Sequence, residues 1–200
     1  MKDKFKMSQE EILFWAKRNI IDYIWKSANL EGISATYPDT ESIFEGLAPE
    51  GFAVKDILAI NNLKRAWYFI SEHLGVEVNY VLVCHINSII GGTDWVPNIP
   101  EEEQVKEQLK RIQREYSTIT EQAIELMLYL MRSQLFNDGN KRTAMMVANL
   151  LTMTHGVGII SIPINHQNEF RKKLVDYYET GNNSELKQFI YDHCIDGVSL

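Results

Sequence analysis

A short polar loop leads directly into an apolar segment at Leu135-Phe136-Asn137-Asp138-Gly139-Asn140-Lys141-Arg142-Thr143. Asp138, Gly139 and Asn140 are residue types that favour turns. The residues that follow leave almost no polar face at helical spacing: Ala144, Met145, Met146, Val147, Ala148, Leu150, Leu151 and Met153. This pattern predicts a buried central helix whose N-terminus opens at a cleft.

A helix that begins at this loop is expected to attract anions. The first backbone N–H groups of a helix lack partners within it, and the helix dipole adds about half a positive charge there. Gly139 lets the backbone approach a ligand closely, and Lys141 and Arg142 place cations in the first turn. Asp138 is well placed to hold Mg²⁺ that bridges phosphates. The sequence thus predicts a phosphate site; the alternative is an ordinary capped loop with two solvated basic residues.

The string FNDGNKRT, from Phe136 to Thr143, resembles the core motif of the Fic/Doc (Fido) family, His-x-Phe-x-Asp/Glu-Gly-Asn-Gly/Lys-Arg. The family transfers AMP, or less often another phosphate-containing group, from a nucleotide to a protein hydroxyl. The resemblance implies an all-α, single-domain Fic fold, a helical bundle around a buried central helix, with a small β-hairpin flap. It also implies ATP or another nucleotide, together with Mg²⁺, as cofactors.

The resemblance assigns a role to each matched residue of the motif. It implies that Phe136 is a buried structural anchor for the loop and that Asp138 is the Mg²⁺ ligand. The residues that would bind the nucleotide phosphates are Gly139, Asn140, Lys141 and Arg142, the last as a clamp.

Two positions depart from the family pattern. Gln134 stands where the family has its catalytic histidine, and a carboxamide cannot accept a proton as imidazole can. Met145 stands where many members have a second arginine for the γ-phosphate. Two hypotheses follow: an impaired Fic-type nucleotidyltransferase, or a pseudoenzyme that binds a nucleotide or a partner protein without transfer. A third alternative is that Gln134 is an engineered substitution.

Two other segments resemble the family in the expected order. Ser8 with Glu11 forms a capping-box pattern for a helix over about residues 8–32, which ends in Ser-x-x-x-Glu-Gly, similar to the inhibitory helix motif. The resemblance implies that Glu31 is regulatory and pairs with the second motif arginine. Because Met145 stands at that position, Glu31 is expected to meet Arg142 or Lys141 instead, or to have lost its regulatory role. A solvated carboxylate is the other alternative.

The second segment, residues 91–100, combines two glycines and two prolines around Thr93 and Trp95. A β-hairpin is predicted there. In the Fic fold such a flap aligns a target segment by strand addition, a common mode of peptide recognition. A simple connecting loop is the alternative.

The remaining chain is predicted to be mostly helical. Helices are expected at about Thr40–Phe44, Val54–Leu74, Asn79–Ile90 and Glu101–Glu115. A further helix is expected to run from a Thr118/Glu121 capping box to the motif, and two more are expected near Gln167–Tyr178 and Ser184–Cys194. Tyr177 and Tyr178 are candidates for a base pocket, with core packing as the alternative for at least one of them.

Composition limits the classes of function. The 200 residues are 45% hydrophobic, which predicts one domain over residues 1–200, and the net charge of −7 argues against a nucleic-acid surface. Cys84 and Cys194 give no disulfide framework. No segment reaches the about 20 apolar residues of a membrane span, so a cytoplasmic protein is expected. The expected partners are a nucleotide and an unknown target protein; a homo-oligomer stays open.

Overall fold

The computed structural model describes residues 1–91 and 102–198. Helices dominate these ranges, which confirms the predicted all-α fold. None of these helices is long and apolar enough to cross a membrane. The elements are α1 (Gln9–Leu30), α2 (Tyr37–Phe44), α3 (Val54–Glu72), α4 (Tyr80–Gly91), α5 (Glu102–Glu115), α6 (Ile119–Ser133), α7 (Asn140–Thr154), β1 (Ile159–Ile160), a 3-10 turn (Ile164–His166), α8 (Gln167–Thr180), α9 (Ser184–His193) and β2 (Ile195–Asp196).

Helix α7 is the centre of the bundle. Every residue from Arg142 to Met153 is buried. The helix packs mainly against α6 and also against α4, α3 and α1. A helix that is apolar on all sides is stable only when other elements surround it. The prediction of a buried central helix is therefore confirmed.

Helix α1 begins and ends where the sequence predicts. The Ser8 side chain accepts a hydrogen bond from the Glu11 backbone N–H at 3.2 Å, and the Ser8 N–H donates to the Glu11 carboxylate at 2.6 Å. Glu31 is the C-cap residue, and Gly32 follows with φ +86°. The position after a helix often adopts the left-handed backbone conformation, which favours glycine. This turn places Glu31 beside the start of α7, where its carboxylate lies 3.7 Å from the Lys141 ammonium.

A buried amide links α7 to the two-stranded sheet. The Asn149 side chain donates to the Ile160 carbonyl at 2.9 Å and accepts from the Ile160 N–H at 2.7 Å. β1 pairs antiparallel with β2, with Ile160 opposite Ile195. This sheet is not the predicted flap. The flap, with Thr93 and Trp95, lies outside the described residues and stays a prediction.

Two local predictions need correction. Helix α2 starts at Tyr37 rather than near Thr40, because Thr36 and Asp39 form a capping box ahead of it. At the start of α6, Thr118 accepts from the Glu121 N–H at 3.4 Å, but the Glu121 carboxylate does not return the bond. It pairs instead with Lys187 at 2.7 Å. Only half of the predicted Thr118 capping box therefore forms.

Candidate functional site

The loop before α7 requires glycine at its last position. Gly139 is the N-cap of α7 and has φ +75°, a conformation that residues with a Cβ rarely adopt. A Cβ there would lie 2.8 Å from the Ile90 side chain and 3.3 Å from the Asn87 amide. The Gly139 carbonyl accepts the first intrahelical bond of α7, from the Thr143 N–H at 2.8 Å. The preceding N–H groups of the first turn have no partner within the helix, so they are available to an anion.

Asn140 closes the loop through its side chain. Its amide accepts from the Phe136 N–H at 2.9 Å and donates to the Phe136 carbonyl at 2.6 Å. The Phe136 ring is buried, at the position expected of an anchor. Because the Asn140 amide is engaged in the loop, the group that this residue offers to a phosphate is its backbone N–H.

Asn87 is a site residue that sequence reasoning missed. It lies on α4, is 2% exposed, and donates to the Asp138 carbonyl and to the Thr143 hydroxyl, both at 3.0 Å. The two bonds join the loop and the first turn of α7 to a separate helix. The signal in the sequence was a lone amide within the apolar run predicted for α4.

Replacement of Asn87 by alanine is expected to lower the free energy of unfolding by about 1–3 kcal/mol, because it leaves buried polar groups without partners. Urea denaturation measures the loss. Asn61→Ala is the matched control, since the Asn61 amide donates only to the carbonyl of Ile57 in its own helix. Equal losses for the two variants would show that Asn87 does not hold the loop.

Asp138 and Arg142 form an ion pair at the mouth of the site. The Asp138 carboxylate accepts from the Gly139 N–H at 2.6 Å and from the Arg142 guanidinium at 3.0 Å. The Asp138 side chain is 79% exposed, whereas that of Arg142 is only 9% exposed. Within the described residues, the buried Nε of Arg142 has no hydrogen-bond partner. Such a group is costly to leave unpaired, and an anionic ligand would satisfy it.

The donor set at Asp138 fits Mg²⁺ that is shared with phosphates. Mg²⁺ in proteins is commonly held by one or two carboxylates together with substrate phosphates and waters. Asp138 offers one exposed carboxylate beside the start of α7. Among the described residues, no group of three or more His, Cys, Asp or Glu side chains could hold a metal by itself. Metal binding at Asp138 would therefore depend on the nucleotide.

Glu31 lies between the site and the end of α1. Lys141 and Arg142 are the two cations expected to meet Glu31. The Lys141 ammonium lies 3.7 Å from the Glu31 carboxylate, whereas none of the described ion pairs joins Glu31 to Arg142. The other carboxylate oxygen, Oε1, is buried without a hydrogen-bond partner in the described part of the chain. Glu31 thus brings an incompletely neutralised negative charge to the N-terminal end of α7.

Gln134 has an unfavourable backbone conformation. It is the C-cap of α6 with φ 46° and ψ 48°, and among the described residues it alone has a positive φ without being glycine. Its amide donates to the Met131 carbonyl at 2.5 Å and accepts from Asn140 at 3.4 Å.

Burial, and then the charge of Glu31, raise the pKa of the nearby Tyr178 phenol to about 12. At neutral pH a phenol with this pKa stays protonated, so Tyr178 cannot act as a general base. Gln134 cannot do so either, because a carboxamide does not accept a proton.

Two cavities meet at the start of α7. The first, about 450 Å³, lies between the loop and α8, and its lining includes Gln134, Lys141 and Tyr178. The second, about 500 Å³, lies on the α3 side, where Arg142 contributes to its wall. Glu31 and Asp138 line both cavities. Volumes of this size suit a small ligand such as a nucleotide. Tyr177, the other candidate for the base pocket, is buried. The Arg132 guanidinium carbon lies 5.4 Å from the centroid of the Tyr177 ring.

Comparison with known proteins finds a related family for part of the chain. Residues 76–152 match the model of the Fic/DOC family. This segment is therefore similar to the Fic/DOC family. The matched segment contains the loop, α7 and Asn87, whereas Glu31 on α1 and the α8 wall of the first cavity lie outside it.

Solved Fic structures share the fold at low sequence identity. A Fic-1 fragment (aa134 - 508) from C. elegans is 20% identical, with a TM-score of 0.72 over 89% of this chain and 62% of that one. A Fic domain containing signaling protein from Bacteroides thetaiotaomicron VPI-5482 is 15% identical, with a TM-score of 0.73 over 93% of this chain and 85% of that one. This chain spans about three fifths of the C. elegans fragment. Comparison with curated proteins gives no match. The predicted Fic fold is confirmed.

Proposed function

We propose that this Fic-fold protein binds ATP, or another nucleoside triphosphate, with Mg²⁺ and transfers AMP slowly to a hydroxyl of a target protein. The observation that carries the proposal is the start of α7: the N–H groups of its first turn have no partner within the helix, Asp138 lines both cavities, and the buried Arg142 lines the second. This set of charges suits a polyphosphate that arrives with a divalent cation.

Each residue of the start of α7 has a separate task in this proposal. Gly139 allows the phosphates to approach the backbone, and Arg142 donates to their oxygens. Lys141 adds a second cation beside the first cavity. Asp138 would hold Mg²⁺, which neutralises phosphate charge when bound. Tyr178 and the α8 side of the first cavity would receive the base.

Slow transfer follows from Gln134. A general base contributes about 10²–10⁴ to a rate, and the Gln134 amide cannot take a proton from an incoming hydroxyl. Positioning and charge stabilisation by the rest of the site would still act.

The second candidate is a pseudoenzyme that binds the nucleotide and performs no transfer. It is favoured by the hydrogen bonds of the Gln134 amide with Met131 and Asn140, because they occupy the groups that would otherwise orient an incoming hydroxyl.

Glu31 is proposed to restrain the site. Its carboxylate lies near Lys141, and it lines both cavities. A phosphate group at the same place would meet a negative charge, which weakens binding. Nucleotide binding would then require Glu31 to move or to exchange Lys141 for another partner.

Calorimetric titration with ATP and Mg²⁺ tests the proposal. Asp138→Ala is expected to weaken binding at least about tenfold, because charged interactions of this kind contribute about 1.5–3 kcal/mol and each 1.4 kcal/mol is tenfold. Asp192→Ala is the matched control, since this exposed carboxylate bonds only to Gln188 one turn earlier. Equal affinities for the two variants would contradict the role of Asp138.

A Glu31→Gln variant separates the remaining outcomes. Binding by Glu31→Gln but not by the wild type would show that Glu31 occupies the site. If neither protein binds ATP, the chain is not a nucleotide-binding protein and the proposed function is wrong.

A further inference from the structure

We propose that Arg65, assisted by Lys55, binds the terminal phosphates of the nucleoside triphosphate in the second cavity. The inference rests on the proposed function, because it concerns the far end of the same ligand. It assigns a binding role to helix α3, which contributes no residue to the core motif.

The second cavity has one wall from α3 and another from the start of α7. Lys55, Asn62 and Arg65 lie on a single face of α3, since they are spaced by seven and three residues. Arg142 and Asp138 close the opposite side. Lys55 and Arg65 are about 15 Å apart along the helix axis at 1.5 Å per residue, so their long side chains would approach the terminal phosphates from opposite ends of the cavity.

The cations of this cavity are incompletely paired. Lys55 and Arg65 are exposed, and neither takes part in any ion pair among the described residues. The Arg142 Nε is buried and has no hydrogen-bond partner in the described ranges. Three acidic residues, Glu31, Asp56 and Asp138, also line the cavity and oppose an anion. A phosphate there would therefore depend on the α3 cations as well as on Arg142.

Arg65 is connected to the phosphate-binding loop. Its guanidinium lies 3.5 Å from the Asn62 side-chain oxygen, and the Asn62 amide donates to the Ile90 carbonyl at 3.2 Å. The Ile90 side chain in turn packs closely against Gly139. This chain of contacts connects Arg65 to the loop, whereas the Lys55 side chain takes part in no hydrogen bond or ion pair among the described residues. We therefore assign Arg65 the larger share of binding.

Beyond Arg142, helix α7 contains no cation that could bind the terminal phosphates. One turn beyond Arg142 stands Met145, which is 3% exposed and belongs to the hydrophobic core. A charged side chain at that position would be costly unless it were paired. The cations of α3 line the second cavity from outside the core, where they stay solvated until a ligand binds.

Titrations with ATP and with AMP, each in the presence of Mg²⁺, test the assignment. Arg65→Gln is expected to weaken ATP binding about tenfold, the typical contribution of a charge-assisted hydrogen bond, and to leave AMP binding unchanged. Lys55→Gln is expected to have a smaller effect in the same direction. Arg18→Gln is the matched control, because Arg18 is an exposed arginine on α1 that lines neither cavity. Thermal melts of all variants verify folding.

The outcomes separate this inference from the proposed function. If Arg65→Gln binds ATP as tightly as Arg18→Gln does, the inference is wrong and the proposed function stands. Equal losses for ATP and AMP would also overturn it, because AMP lacks the terminal phosphates. If the wild type and Glu31→Gln bind no nucleotide, both proposals are wrong.

Discussion

Replacement of Gln134 by histidine is expected to raise AMP transfer from ATP by about 10²–10⁴, the usual contribution of a general base. Imidazole accepts a proton near neutral pH, which the Gln134 amide cannot do. Histidine is also among the residues that tolerate the left-handed conformation at this position. The substitution would therefore add a base without new backbone strain.

The measurement is the release or transfer of AMP from ATP labelled at the α-phosphate, with water as acceptor when no target hydroxyl is present. Gln134→Asn is the matched control, because asparagine also tolerates the left-handed conformation but supplies no base. Combining Gln134→His with Asp138→Ala is expected to abolish the gain. A Gln134→His variant that binds ATP but transfers no faster than Gln134→Asn would favour the pseudoenzyme.

Replacement of Gly156 by alanine is expected to lower the free energy of unfolding by about 3 kcal/mol or more, since backbone strain and a steric clash add. Gly156 has φ +65°, and a Cβ there would lie 1.9 Å from the Met7 carbonyl oxygen. The Met7 N–H donates to the Gly156 carbonyl at 2.8 Å, so the two backbones cannot separate without losing this bond.

Urea denaturation at constant pH measures this loss of stability. Gly75→Ala is the control, because Gly75 has φ +89° but no atom lies within 4 Å of the position that a Cβ would take. It is expected to cost only the left-handed strain, about 1–2 kcal/mol. Equal losses for the two variants would mean that the segment at Met7 moves aside freely.

Much of the fold was readable because its signals are local. The central helix follows from an apolar run without a polar face, and the start of α1 follows from Ser8 and Glu11, which are three residues apart. Such signals depend on periodicity and capping within a few residues. The same local reasoning predicted a full capping box with Glu121, and only half of it forms. The Glu121 carboxylate forms an ion pair with Lys187, which lies 66 positions later in the chain.

The candidate site was only partly readable. The loop from Phe136 to Arg142 could be predicted from its own residues to open a helix, and its role in phosphate binding stays a prediction. Asn87, which holds that loop, could not, because its hydrogen bonds join residues more than fifty positions apart. Nor does any local pattern show that Arg65 shares a cavity with Arg142.

By itself, the sequence determined most of the helices, the capping box of α1, the glycine turn before α7 and the absence of a histidine at position 134. Only the tertiary structure decided that Glu31 meets Lys141, that Asn87 supports the loop, and that α3 faces the start of α7. The physical reason is that backbone propensities and capping act between neighbours in the chain. Contacts between helices depend on which side chains packing brings together from distant positions.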